Sequence, residues 1–207
     1  MKREPTGWLP PFSIIHSVFG RHRTYRIIDQ VEKEKLFAPL QLILPDGEIK
    51  NSNDHCGADF VNISPSTELG QKLRKKLIKK VPLMNRQFDF DLFDLEDPRL
   101  VGHVIISRYS SDKPIGLPPH TDLGGFPEVE NRKLTVVIPL NSPYLYEGGR
   151  LVIQDGLDYD AFGENWNNQI TEGYGVVFPS FRMHYVTPVT RATRYTLTAF
   201  LQGPRFR

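Results

Sequence analysis

Residues 175–201 read GVVFPSFRMHYVTPVTRATRYTLTAFL. Three short runs stand out: Gly175-Val176-Val177-Phe178, His184-Tyr185-Val186-Thr187 and Tyr195-Thr196-Leu197-Thr198-Ala199-Phe200-Leu201. Each is dense in β-branched or aromatic residues, which suit a pleated, half-buried surface, and Pro179-Ser180 and Pro188 punctuate them. Working back toward the N-terminus, the same texture recurs in Val104–Tyr109, in Leu134–Leu140 and in Arg150–Gln154, the last following Gly148-Gly149. Many short strands separated by turn residues predict a sandwich or barrel. The chain before residue 100 reads differently. Ser66–Val81 carries Leu69, Leu73, Leu77 and Ile78 at helical spacing, with Pro65 as an early-turn residue, and Tyr25–Phe37 is a second helical segment between Gly20 and Pro39. The expected fold is mainly β with supporting helices: one domain over 1–207, about 1–100 a helical support region and about 101–203 an antiparallel barrel.

The strand reading gives a setting to four polar residues. His120 and Asp122 stand two apart, and residues i and i+2 of an extended chain point the same way. Pro118-Pro119 favours an extended approach to them. His184 opens a later strand and is expected to complete the set from the opposite sheet. Two histidines and one carboxylate hold three positions on one face of an ion and leave three open, the facial triad of non-haem Fe(II) oxygenases. Donor type alone also suits Mn(II) or Zn(II). A His-x-Asp by itself is common; the ordered His184 and Arg194 behind it give it weight. His16, His22, His55 and His103 have no comparable neighbours and read as surface or packed residues. Arg194 shares its strand face with Thr196 and Thr198, opposite the apolar Tyr195, Leu197, Ala199 and Leu201. A cation in that pattern needs an anionic partner. Its planar fork suits the far carboxylate of a dicarboxylate such as 2-oxoglutarate, and the Thr196 hydroxyl is placed to share that carboxylate.

Bulk properties exclude several classes. The chain has 207 residues, with 39% hydrophobic and 24% charged, an ordinary globular composition. With 26 basic against 24 acidic residues the net charge is +2, which argues against nucleic-acid binding by bulk charge. Cys56 is the single cysteine, so no intramolecular disulfide forms and a reducing, cytoplasmic setting is expected. No apolar region follows Met1–Gly7 to make a signal peptide, and apolar runs such as Thr135–Leu140 are too short to cross a bilayer.

The segments Phe178-Pro179-Ser180 to Arg194 and Tyr146-Glu147-Gly148-Gly149-Arg150-Leu151 resemble the Fe(II)/2-oxoglutarate-dependent dioxygenases, in their prolyl 4-hydroxylase-like branch with its bacterial PKHD-type hydroxylases. The resemblance runs over roughly Arg108 to Gln202. It implies a double-stranded β-helix, a jelly-roll of cupin-like type. It implies Fe(II) on His120, Asp122 and His184, 2-oxoglutarate on Arg194 with Tyr109 and Thr196, dioxygen as oxidant and ascorbate as a reductant. The implied reaction is hydroxylation of an unactivated C–H bond, coupled to conversion of 2-oxoglutarate into succinate and carbon dioxide. No catalytic residue beyond the metal ligands is required. The substrate is a small molecule, a peptide or a protein side chain such as proline. The alternatives are an oxygenase of a small metabolite and a catalytically idle cupin-like metal-binding module.

Departures from the family pattern concern the substrate side. Tyr109 lies eleven residues before His120, where the family has nine, and Leu117 occupies the place of a second tyrosine. Ser110-Ser111-Asp112-Lys113-Pro114-Ile115-Gly116 replaces a Gly-Gly turn. Asp122 distinguishes the chain from related halogenases, which have a small residue there. Phe200 stands where AlkB-type nucleic-acid demethylases have a second arginine. The basic run Lys72–Lys80 reads as the solvated face of a helix, and Gln87–Asp94 as a half-exposed strand from its apolar–acidic alternation. Trp166, within Glu164–Asn168, is either a contact over the mouth of the site or a loop anchor.

Overall fold

A computed structural model describes residues 9–39, 41–43, 49–51, 56–124, 129–161 and 170–206. His55 and Trp166 lie outside them. In chain order the elements are β1 (Ser13–Ile15), α1 (Arg21–Lys33), β2 (Ala38–Pro39), β3 (Gln41–Ile43), β4 (Ile49–Asn51), β5 (Ala58–Asn62), α2 (Glu68–Ile78) and α3 (Val81–Asn85). There follow β6 (Val101–Ser110), β7 (Leu117–His120), β8 (Arg132–Pro139), β9 (Glu147–Gly148), β10 (Leu151–Gln154), β11 (Asp158–Asp160), β12 (Gly175–Pro179), β13 (His184–Val186), β14 (Val189–Arg191) and β15 (Thr193–Gln202).

Two antiparallel sheets carry the site. The larger has seven strands in the order β1-β12-β8-β15-β6-β5-β2, and the smaller has four in the order β11-β10-β13-β7. Two further pairs, β14-β9 and β3-β4, stand apart. The arrangement is the expected double-stranded β-helix, left open along its mouth rather than closed as a barrel. Three strands of the large sheet, β1, β2 and β5, come from before residue 100, so that region supplies sheet as well as helix.

Alternation along the strands divides the apolar residues between two cores. On β15, Leu197, Ala199 and Leu201 face α1 and α2 and join Ile27, Val31, Leu73 and Leu77. Between the sheets, Val137, Val176 and Phe178 of the large sheet meet Leu151, Ile153 and Val186 of the small one. Leu77 is 0% exposed in the helix-side core. Leu77→Ala should destabilise the protein by about 2–5 kcal/mol through lost transfer energy plus the cavity left behind. The check is a lower urea midpoint with an unchanged m-value.

The helices begin where their caps dictate. The Thr67 hydroxyl accepts from the Gly70 amide at 3.1 Å, so α2 starts at Glu68 and Pro65 falls outside it. Gly20 caps α1, which runs four residues earlier than the sequence suggested and ends before Lys35, in the left-handed region with φ 49°. The basic run is mostly the solvated face that was expected, with Arg74 the exception. Arg74 donates to the carbonyls of Pro98, Val101 and Gly102, while Lys75, Lys76 and Lys79 stay exposed. Gln87–Asp94 is not a strand. Asn85 holds both the amide and the carbonyl of Phe90 (3.0 and 2.8 Å), and Asp89 turns left-handed with φ 51°, which breaks the alternation and buries Phe88.

Candidate metal and co-substrate site

His120 closes β7, and His184 opens β13 directly opposite it in the register of the small sheet. The two histidines are therefore neighbours in one sheet, not partners across the fold as the sequence reading had it. Asp122 lies just beyond the end of β7, in a bend. Its amide donates to the Ser180 carbonyl at 2.9 Å, and its Oδ2 accepts from the Thr135 hydroxyl at 2.7 Å. Thus the large sheet positions the carboxylate and the small sheet positions both imidazoles.

Donor atoms from the three side chains lie within 4.8 Å of one another. Asp122 Oδ1 is 3.7 Å from His120 Nε2, and Oδ2 is 3.4 Å from His184 Nε2. Each Nδ1 sits by a backbone carbonyl, Pro118 for His120 (2.8 Å) and Arg182 for His184 (3.0 Å). A proton placed on Nδ1 leaves the Nε2 lone pair free toward the shared point, as metal-binding histidines require. Burial lowers the His184 pKa; Asp122 opposes that shift and His120 adds to it. A neutral imidazole is the ligating form. The donor set fits a divalent ion with open positions. Among the described residues, His16, His22 and His103 are exposed and far in sequence and strand order from this cluster.

Arg194 faces the same cleft from β15 and is 1% exposed. It pairs in register with Tyr109 on β6, and its guanidinium lies 5.1 Å from that ring. The phenols of Tyr109 and Tyr146 both stand close to its guanidinium. Burial pushes both phenols up, and the nearby cation pulls them partly back. Thr196 is buried one pleat away on the same face. Arg194 and His184 stand on different sheets facing one cleft, with β14 between them in sequence. Gly149, with φ +60°, leaves the passage for the arginine stem: a Cβ there would meet Arg194 Cδ at 2.6 Å. A buried cation ringed by hydroxyls is a fitting seat for a carboxylate.

The cleft has a volume of about 780 Å³ and extends from the histidines past Thr198 and Phe200 to Phe60 and Ala38. The divergent segment after Tyr109 is pinned beside β5 and does not line the cleft. Lys113 Nζ meets Asp59 at 3.2 Å, and Asp59 also holds Arg108 at 2.8 Å. The Gly57 amide donates to Gly116 at 3.2 Å, with no room for a Cβ on Gly57. Four residues escaped the sequence reading: Thr135, Ser180, Tyr146 and Arg132. Arg132 stacks 3.6 Å over Phe200, so a cation reaches the Phe200 position from another strand. The available signal for Thr135 was one hydroxyl inside the apolar run Leu134–Leu140.

No family model matches the chain. A PKHD-type hydroxylase of Thermosynechococcus vestitus is 30% identical over 109 residues, 51% of this chain and 45% of that protein. The PKHD-type hydroxylase YbiX of Escherichia coli is 29% identical over 110 residues, with the same shares of 51% and 45%. The chain spans about half the length of the curated relatives it matches. Among solved structures, a Pseudomonas putida prolyl-4-hydroxylase superposes with a TM-score of 0.65 at 17% identity, covering 94% of this chain and 93% of the other. A Trichoplax adhaerens prolyl hydroxylase, in complex with a peptide fragment, gives a TM-score of 0.65 at 18% identity over 93% of this chain and 83% of that one. The fold is thus shared with prolyl hydroxylases along nearly the whole chain.

Proposed function

We propose that this chain is a single-domain, Fe(II)- and 2-oxoglutarate-dependent dioxygenase that hydroxylates an unactivated C–H bond of an amino acid, peptide or protein side chain such as proline. The observation that carries the reading is the convergence of His120, Asp122 and His184 beside a buried Arg194 in one cleft. The names of its relatives, PKHD-type hydroxylases, point the same way. When bound, iron and 2-oxoglutarate supply the oxidant, with dioxygen consumed and succinate and carbon dioxide released; ascorbate is the natural reductant to keep the iron ferrous.

The remaining work falls to the protein. His120, Asp122 and His184 hold the ion. Arg194, with the hydroxyls of Tyr109 and Thr196, anchors the distal carboxylate of the co-substrate. Burial of that end excludes water and strengthens the charge-assisted bonds. The cleft falls within the range that encloses a ligand of drug size, which leaves space for substrate beside the co-substrate. The peptide carried by the Trichoplax neighbour supports a peptide or protein substrate here. Among the described residues no helix is long and apolar enough to cross a membrane. A cytoplasmic, reducing location suits Cys56, whose thiol is free and buried.

Anaerobic titration with Fe(II) and 2-oxoglutarate tests the reading. The expected result is a weak visible charge-transfer band that saturates at one equivalent of each. An idle cupin-like module gives no such band. Succinate release, screened against amino acids, proline peptides and a lysate, then identifies the substrate.

A further inference from the structure

Thr135 occupies a place on β8 flanked by buried apolar residues, Leu134 and Val136, and is itself 0% exposed. Its hydroxyl donates to Asp122 Oδ2 at 2.7 Å and lies 3.1 Å from the Ser180 hydroxyl. A hydroxyl has one proton to give. With the Thr135 proton on the carboxylate, Ser180 donates to Thr135, and the two form a chain that ends on Asp122. The backbone converges on the same point. The amides of Asp122 and Leu123 both reach the Ser180 carbonyl, at 2.9 and 3.2 Å, and Arg132 Nη1 holds the Asp122 carbonyl at 3.2 Å. Asp122 therefore has a fixed main chain. Among the described residues, its carboxylate accepts one hydrogen bond, that from Thr135 on Oδ2.

We infer that Thr135, backed by Ser180, is a positioning residue that makes Asp122 a one-oxygen ligand and so sets how many coordination positions stay open. A carboxylate binds a cation through one oxygen or both. Two imidazoles and one oxygen leave three positions of a six-coordinate ion open. Closure by both oxygens leaves two, which a chelating 2-oxoglutarate fills, and none remains for dioxygen. The Thr135 bond occupies one lone-pair site of Oδ2 and draws charge from it, which leaves Oδ1 the stronger donor and disfavours closure by both oxygens.

This rests on the metal reading proposed above, and the test separates the two. Wild type, Thr135→Val and Thr135→Ser are loaded with Mn(II) alone, and bound waters are counted by proton electron–nuclear double resonance. Wild type and Thr135→Ser should show three exchangeable waters, the number a facial triad leaves open. Thr135→Val should show two, with Mn(II) affinity lower by about ten- to a hundredfold, as for other residues that support a ligand. Three waters in Thr135→Val overturn the inference, because a merely structural hydroxyl leaves the count unchanged. Failure of wild type to bind Mn(II) overturns the metal reading instead. Thr135→Ala carries the same expectation should the valine variant not fold.

Discussion

His184→Ala and Asp122→Ala should each lower 2-oxoglutarate-dependent succinate formation by more than about a hundredfold, while the protein stays folded. Removing even a residue that only supports a metal ligand costs about ten- to a hundredfold in affinity or activity, so removing a ligand itself costs more. The two variants differ in their structural penalty. His184 is 4% exposed and packs edge-on against Phe178 at 4.8 Å, so its truncation leaves a hole in the wall of the small sheet. Asp122 sits in a bend at the cleft, and Thr135 keeps Ser180 as a partner when the carboxylate is gone. Asp122→Ala is therefore the cleaner variant, with near-native urea unfolding. Bound iron measured by elemental analysis should fall in parallel with succinate. Full turnover in either variant would remove the metal assignment.

The cluster of His120, Asp122 and His184 was legible in sequence because the chemistry admits few residue types, and because a period of two decides which share a face. The same rule correctly divided β15 into a cleft side with Arg194, Thr196 and Thr198 and a helix side with Leu197 and Ala199. Elements whose existence depends on a partner were not legible. Leu117-Pro118-Pro119-His120 has two residues without an amide to donate, yet it is a strand, since β7 lies at the edge of its sheet where prolines are tolerated. β5 carries Asp59 within Ala58–Asn62 and looks too polar for a sheet interior. It is held there by the ten-residue β6 beside it and by the Arg108–Asp59 ion pair on the outer face. Gln87–Asp94 errs in the other direction, because alternation without a neighbouring strand makes no ladder. Placing His184 across the fold from His120 failed for a related reason, since strand pairing is a tertiary choice that local spacing does not encode. Thr135 and Ser180 were missed because hydroxyls serve many ordinary purposes; only the 2.7 Å contact to Asp122 distinguishes this use.

Arg194→Gln should raise the KM for 2-oxoglutarate by about ten- to a hundredfold, with kcat changed less. A hydrogen bond to a charged group contributes about 1.5–3 kcal/mol, and about 1.4 kcal/mol is a factor of ten in affinity. The glutamine keeps a donor near Tyr109 and Tyr146 but loses both the charge and the two-pronged geometry. Arg194→Lys should rescue little, since an ammonium is a point charge without the planar fork, and the Gly149 passage that admits the arginine stem gives it no new partner. Stability discriminates further. In wild type, 2-oxoglutarate should raise the melting temperature of the Mn(II)-loaded protein, because a ligand that binds only the folded state stabilises it in proportion to the logarithm of its concentration over Kd. In Arg194→Gln that increment should nearly vanish, with each melting temperature compared against the same variant without 2-oxoglutarate. A variant that kept the full ligand-induced increment would show that the co-substrate's distal carboxylate binds elsewhere in the cleft. Arg194 would then be a structural cation of β15, and the part of the proposed function that depends on 2-oxoglutarate would lose its anchor.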